Sequence, residues 1–320
     1  MSRVWYLFRA ASRGGPGRSH SPTAARRVRA GVSVAIMATM AGGCGNGPTT
    51  HADAAPPPSP PVVLDASRLR LPLDPYLLTP RESEWVSQAY RRPLTDCLRR
   101  FGLTTPERPV STGGPATSNE RRYGITDPAL AASAGYRVAA TPSAATPTPP
   151  ARPTPTGSAD PRLLDVLTGR RGTVDGHPVP NGGCSGEARR RMTVGAPAVS
   201  DPFLAQRLSQ ESYGQSGRDR RVQAATHAWS DCMHGHGYDY ATPLDAAADP
   251  RFRDGPVSRT EITVATTDIA CKKQTNLVGV WFAVEAALQK PRVAANRTAL
   301  ENIGRTNEIQ LSVAKGLGLG

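Results

Sequence analysis

The residues best suited to chemistry lie in Cys232-Met233-His234-Gly235-His236, where a thiol and two imidazoles fall within five positions. Such groups suit copper or zinc. Residues two apart on a helix point away from each other, however, so Gly235 would have to unwind the turn before His234 and His236 could share an ion. No metal site is therefore assigned, with His234 and His236 kept as its nearest candidates. The expected alternative is a helix end on which His236 packs and His234 is solvated. Gly183-Cys184-Ser185-Gly186-Glu187 has the outline of a nucleophile turn, but Glu187 stands where G-x-S-x-G requires glycine, and no strand-turn-helix pattern surrounds it. A Cys-His hydrolase built on Cys184 competes with the more usual fate of an exported cysteine, a bridge. Asp96 and Asp231 each precede a cysteine, and Asp268 stands three residues before Cys271 on the same helix face. A helix-pairing hydrogen bond or an arginine partner is the expected role of Asp268, since acid–base work needs paired carboxylates across a cleft. There is no phosphate loop, dinucleotide fingerprint or HExxH. No catalytic residue and no cofactor is assigned.

The elements that must position these residues read as helices. Thr79-Pro80-Arg81-Glu82 is a capping box with proline at the first helical position, followed by Tyr90, Leu94, Cys97, Leu98 and Phe101 at helical spacing. Pro93 predicts a kink or break in it, and Gly102 its end. Val222, Ala225, Thr226, Trp229, Cys232, Met233 and His236 form one stripe, closed by Gly235 and Gly237. A third helix begins at the capping box Ser258-Arg259-Thr260-Glu261, carries Ile262, Ala265, Ile269 and Cys271, and continues through Leu277, Trp281, Val284 and Leu288 until Pro291 kinks or stops it. Residues Val293 to Val313 follow as a more polar helical stretch. Shorter helices are expected after Asp127-Pro128, near Arg162 to Leu167 and after Asp201-Pro202. The strand candidates are Tyr136 to Ala139 and Gly172 to Val179. The fold class is mainly α: a disulfide-stabilised helical bundle with proline-rich disordered linkers.

Upstream of these helices, Arg26, Arg27 and Arg29 precede a short apolar run, Ala30 to Ala41. A bilayer span needs roughly 20 apolar residues, so this run is an export signal of the Sec type and not a membrane helix. Its ending, Ala41-Gly42-Gly43-Cys44, resembles the lipobox of bacterial lipoproteins, with alanine where leucine is commoner. The resemblance implies that Cys44 is acylated and becomes the first residue of the mature chain; ordinary cleavage, for example after Ala54, is the alternative. Two or more acyl chains anchor stably where one is marginal. The expected organisation is a signal peptide with lipobox over 1–43, a disordered tether over 44–64, an N-terminal helical segment over 65–139, a Pro/Thr/Ala-rich linker over 140–161, and a C-terminal helical segment over 162–320.

With Cys44 lipidated, Cys97, Cys184, Cys232 and Cys271 remain, and an even count in an exported chain favours two disulfides among three possible connectivities. Asp96-Cys97-Leu98-Arg99-Arg100-Phe101-Gly102 and Asp231-Cys232-Met233-His234-Gly235-His236-Gly237 share D-C-(L/M)-x-x-x-G. Each copy ends a helix carrying an upstream tryptophan, Trp85 or Trp229, and each is followed by one further cysteine. The economical pairing joins Cys97 to Cys184 and Cys232 to Cys271. Together with Arg122-Tyr123-Gly124, Gly182 to Ala188, Gly237-Tyr238 and Asp268 to Lys272, these segments resemble the cysteine-bearing parts of secreted lipoproteins of high-GC Gram-positive (actinobacterial) bacteria, a family with no established activity. The resemblance implies a compartment and a cysteine framework, not a reaction.

The chain carries 39 basic and 26 acidic residues, a net of +13. Residues 1–43 hold seven of the arginines and no acid, which leaves +6 on the remainder. That excess is spread through Arg91-Arg92, Arg99-Arg100, Arg121-Arg122, Arg189 to Arg191 and Arg218 to Arg221. With aromatic content of 5%, few stacking platforms exist, and nucleic acid is not an expected partner. Solvated helix faces account for the arginines more simply than anionic headgroups or cell-wall polymers do. The sequence thus reads as a lipid-anchored protein on the extracytoplasmic face of the cell membrane, a binding or structural component of the envelope more readily than an enzyme. Its partners would be the membrane, through the anchor, and an envelope protein or cell-wall polymer. The alternatives are an envelope hydrolase with an unrecognised site and a small-ligand or metal-binding lipoprotein of a transport system.

Overall fold

The computed structural model describes residues 60–63, 65–104, 115, 117–137 and 160–319. The segments expected to form the export signal, the lipobox-like sequence with Cys44, most of the tether and nearly all of the 140–161 linker lie outside these. Ten α-helices occur among the described residues: α1 Pro80–Arg99, α2 Pro128–Ala134, α3 Pro161–Thr168, α4 Gly183–Met192, α5 Leu204–Ser216, α6 Arg220–Gly235, α7 Pro243–Ala247, α8 Arg259–Thr275, α9 Leu277–Ala295 and α10 Arg297–Gly316. A two-residue hairpin, β1 Thr173–Val174 with β2 His177–Pro178, is the one sheet among them. The chain is therefore a mainly α-helical bundle, held by two disulfides, Cys97–Cys184 and Cys232–Cys271. None of the described helices is long and apolar enough to cross a membrane.

The repeated D-C-(L/M)-x-x-x-G element has the same local geometry in both copies. Gly102 and Gly237 take the left-handed backbone, φ 66° and 82°, that ends a helix cheaply only at glycine. Beyond each, the next amide turns back onto the helix: Leu103 N–H donates to Leu98 O at 3.1 Å and Tyr238 N–H to Met233 O at 3.0 Å. Leu98 and Met233 are both fully buried beneath these turns. Similar local sequence thus yields the same helix stop, in which the loop amide satisfies a carbonyl that the helix end would otherwise leave unpaired.

The two copies deliver their cysteines to different cores. Around Cys97, α1, α3, α4 and the hairpin enclose a small apolar cluster of Leu98, Phe101, Leu103, Val166 and Val174. Around Cys232, the helices α2, α6, α8 and α9 bury a larger set that includes Tyr123, Trp229, Met233, Phe252, Ile269, Leu277 and Trp281. Smaller clusters pack α10 against α5 through Leu73, Ala205, Leu208, Leu300 and Ile303, and against α1 and α4 through Ala89, Met192 and Ala314.

Several helix boundaries differ from the sequence expectation. Pro93 does not break α1, which is continuous to Arg99. An interior proline costs about 3 kcal/mol in an isolated helix, but both halves of α1 are fixed here, by packing on α4 and α10 and by the Cys97 bridge. The long third helix divides at Asn276 and not at Pro291, which sits inside α9. Asn276 takes φ 50°, a conformation asparagine tolerates better than most residues, and its Nδ2 donates to Pro60 O at 2.8 Å. At Tyr136 and Arg137, the described part of the expected 136–139 strand, no strand forms. The Tyr136 amide donates to Glu261 Oε1 at 3.3 Å, and its carbonyl accepts from Arg121 at 2.6 Å, so side chains occupy the groups a ladder would use. The strand signal at 172–179 corresponds to the hairpin. Helix α4 had no distinct pattern because arginine fills its exposed positions and glycine part of its buried face.

Candidate functional site

Three acids buried in α8 and α9 organise the larger core; residues of the 121–137 segment meet Glu285 and Glu261 directly and Asp268 through Lys272. Glu285 of α9 accepts from Tyr123 Oη at 2.8 Å and from Arg122, whose guanidinium also reaches Ser209 O at 3.0 Å and lies 5.2 Å from the centre of the Tyr213 ring. Glu261, in the first turn of α8, pairs with Arg137 at 3.3 Å. Asp268 is fully buried, accepts from Trp229 Nε1 at 2.8 Å and pairs with Lys272 at 2.9 Å. The Lys272 ammonium in turn donates to Ile125 O at 3.0 Å. Gly124, at φ 83°, makes room for it: a β-carbon there would stand 2.6 Å from Lys272 Nζ.

Burial pushes the Asp268 carboxyl above its usual range and pulls Lys272 below its own, while the attraction between the two opposes both shifts. Burial also works against the charge of Arg122, but Glu285 outweighs it and holds the guanidinium firmly protonated. The expected hydrogen bond from Asp268 to its partner helix is present, with Trp229 as donor; the cationic partner is lysine from its own helix rather than arginine. The Asp268-x-x-x-Lys272 spacing was a legible signal for that ion pair. The arginines at 121 and 122 do not form a solvated face. Arg121 donates to Tyr136 O and Arg137 O, both at 2.6 Å, and Arg122 belongs to the interior. The backbone carbonyls and carboxylates there need donors that no apolar residue supplies.

At the end of α6, His236 is exposed and does not pack, and His234 is exposed as well. His236 stands one helical turn from Cys232, and Cys271 of α8 completes a set whose donor atoms all lie within 4.8 Å of one another. The relevant spacing was Cys232-x-x-x-His236, which shares a helix face, rather than His234-x-His236. Cys232 and Cys271 are bonded to each other here. Gln274 Oε1 lies 3.6 Å from Cys232 Sγ. Ser185 sits in the first turn of α4 and Cys184 is joined to Cys97, so the nucleophile-turn outline has no counterpart in the geometry. Asp96 and Asp231 are exposed, the former paired with Arg99 at 3.0 Å.

A groove of about 540 Å³ opens elsewhere, between the turn leading into α1, residues 117–119 and one face of α10. Leu71, Pro75, Leu77 and Leu311 give it apolar walls; Arg70, Asp74, Glu82 and Glu308 give it charge. Asn119 fixes one side, donating from Nδ2 to Asp74 at 2.6 Å and to Leu69 O at 3.2 Å. Asn307 ties α10 to the opposite side through Tyr76 O at 3.1 Å. A concave site of mixed character and this size suits a small ligand or a short segment of a partner. Of these residues the sequence marked only Glu82, with its neighbour Thr79, and as a helix cap rather than a site; the lining comes from three separated stretches. No family model matches this chain, and neither a curated protein nor a solved structure is detectably similar to it.

Proposed function

We propose that this chain is an exported lipoprotein, akin to those of high-GC Gram-positive bacteria, anchored through acylated Cys44 to the extracytoplasmic face of the cell membrane. It works there as a non-enzymatic binding component of the envelope, with the groove beside α10 receiving an envelope protein or cell-wall polymer. The observation that supports this reading most is the pair of disulfides, which persist in oxidising compartments and are rare in reducing ones. They use four of the five cysteines, and the fifth is Cys44, directly after the small residues of the lipobox-like sequence. Palmitate labelling in an actinobacterial host tests the anchor. The label should enter the protein, and Cys44→Ala should abolish it and release the chain from the membrane fraction. Unlabelled protein recovered from the cytosol with all thiols free would refute the reading. A photo-crosslinker at Leu311 tests the groove, with a discrete envelope adduct expected and competition by the Glu308→Lys, Asp74→Lys variant absent.

A further inference from the structure

The two disulfides are not equivalent in what surrounds them. Cys97 and Cys184 are both buried within an apolar cluster. Cys232 is half-buried at a helix end, its partner Cys271 is fully buried, and the exposed imidazole of His236 stands beside them. Among the described residues, this is the one grouping of three or more cysteine, histidine or carboxylate side chains with ligand atoms close enough to share an ion.

We propose that Cys232, Cys271 and His236 form a reducible site for a thiophilic d10 cation, for which zinc serves as the probe. With the disulfide closed, its sulfurs are poor ligands and the site is shut. A dithiol opens it by exchange: the Cys232–Cys271 bond breaks, two electrons and two protons pass to the cysteines, and the dithiol leaves as its cyclic disulfide. Zn²⁺ then displaces both thiol protons and takes the neutral imidazole of His236, and a water, or Gln274 Oε1, fills the open fourth position. Tetrahedral bonds of about 2.3 Å to sulfur and about 2.0 Å to nitrogen place ligand atoms roughly 3.5–3.8 Å apart. The observed spread of at most 4.8 Å is already close to that. Each sulfur needs to move only about 1 Å from its bonded position, which side-chain rotation supplies.

Charge balance favours the same assignment. Cys271 is fully buried, so two thiolates without a counter-ion would be costly there, whereas two thiolates with one divalent cation are neutral. His236 and Cys232 are fixed relative to each other by the last turn of α6, and Cys271 is fixed on α8 by the Asp268–Trp229 hydrogen bond one turn away. The proposal depends on this folded frame alone and not on the anchor or the groove.

The test uses the full chain, reduced with a dithiol until alkylation and mass mapping show Cys232 and Cys271 free, and then titrated with Zn²⁺ against a chromophoric chelator. The oxidised protein should bind no zinc in the same assay. The reduced protein should bind one equivalent with Kd below about 1 μM, and His236→Ala should raise that Kd by at least about tenfold. His234→Ala should change nothing. A reduced, folded protein that binds no zinc overturns the proposal. So does binding that His236→Ala leaves unaltered, or that His234→Ala abolishes. Near-ultraviolet circular dichroism follows the fold, and a tertiary signal lost on reduction and not restored by zinc overturns it equally.

Discussion

The cluster around Cys97 and the core around Cys232 start from the same local element and are held together by different physics. In the first, a short helix end, two small helices and a hairpin enclose a handful of leucine, valine and phenylalanine side chains. So little apolar surface leaves a large share of the cohesion to the bridge. In the second, two tryptophans, several other aromatics and three buried acids with their partners supply a core that is large and internally charged. A buried ion pair adds little net stability but makes the loss of either partner severe. One region should therefore fail when its covalent link is removed, and the other when its charge balance is disturbed.

Removing the bridges tests that contrast first. The Cys97–Cys184 link closes a separation of 87 residues and Cys232–Cys271 one of 39. In the chain-entropy model these are worth about 4.6 and about 3.9 kcal/mol. Because the smaller cluster has less to fall back on, Cys97→Ser with Cys184→Ser should lower the denaturant midpoint more than Cys232→Ser with Cys271→Ser; the reverse order would break the comparison. Graded reduction sharpens it, since Cys232 is accessible and the Cys97 pair is not, so Cys232–Cys271 should be alkylated first.

Lys272→Met comes next. It strands Asp268 in the interior and should cost about 3–5 kcal/mol, while adding Asp268→Leu should restore much of the loss. Equal losses for the single and double variants would show that charge balance is not what the second core depends on. Trp229→Phe removes one donor from the same carboxylate and should cost about 1.5–3 kcal/mol. Trp85→Phe, at a half-buried position on α1 beneath Arg81, should stay within about 0.5 kcal/mol. Both are read from the shift in chemical denaturation.

The smallest effect concerns pH. The hydrogen bonds from Arg251 hold the Asp249 carboxyl below the usual carboxylate range, with a further bond from Tyr240 Oη at 2.6 Å. A depressed folded pKa means stability that is complete above the unfolded value of about 4 and is lost as pH falls toward the folded one. Thermal melts should therefore separate Asp249→Asn from the parent most at about pH 6, with the gap narrowing progressively as pH falls below about 4. A gap that widens on acidification would reverse the sign of this argument.

Much of the helical frame was legible because it is written locally. The capping box at Thr79 forms in both directions, with Thr79 Oγ1 accepting from Glu82 N at 3.2 Å and Glu82 Oε2 from Thr79 N at 2.8 Å; at Ser258 only the serine half forms, Oγ accepting from Glu261 N at 3.0 Å, because Tyr136 N and Arg137 occupy the Glu261 carboxylate. The stripe of α6 buries Val222, Ala225, Trp229 and Met233 as its period requires. The cysteine pairing followed from the repeated element and matches the bridges in the structure. The prolines misled at Pro93 and Pro291, because helix propensity is a modest preference that packing on neighbouring helices overrides. The break at Asn276 carried little local signal, since it depends on a side chain that reaches Pro60, 216 positions away.

What the chain determined by itself, then, is where helices such as α1, α6 and α8 start, which face of α6 is apolar, and which cysteines have partners. All are set by interactions within about one turn, or by a repeated local pattern. Tertiary structure alone decided that Arg122 lies inside while Arg99 lies outside, that Asp268 meets Trp229, that three distant stretches border a groove, and that His236 stands beside the Cys232–Cys271 bridge. Those outcomes depend on desolvation and on distances between residues far apart in sequence, quantities that exist only once the helices have packed.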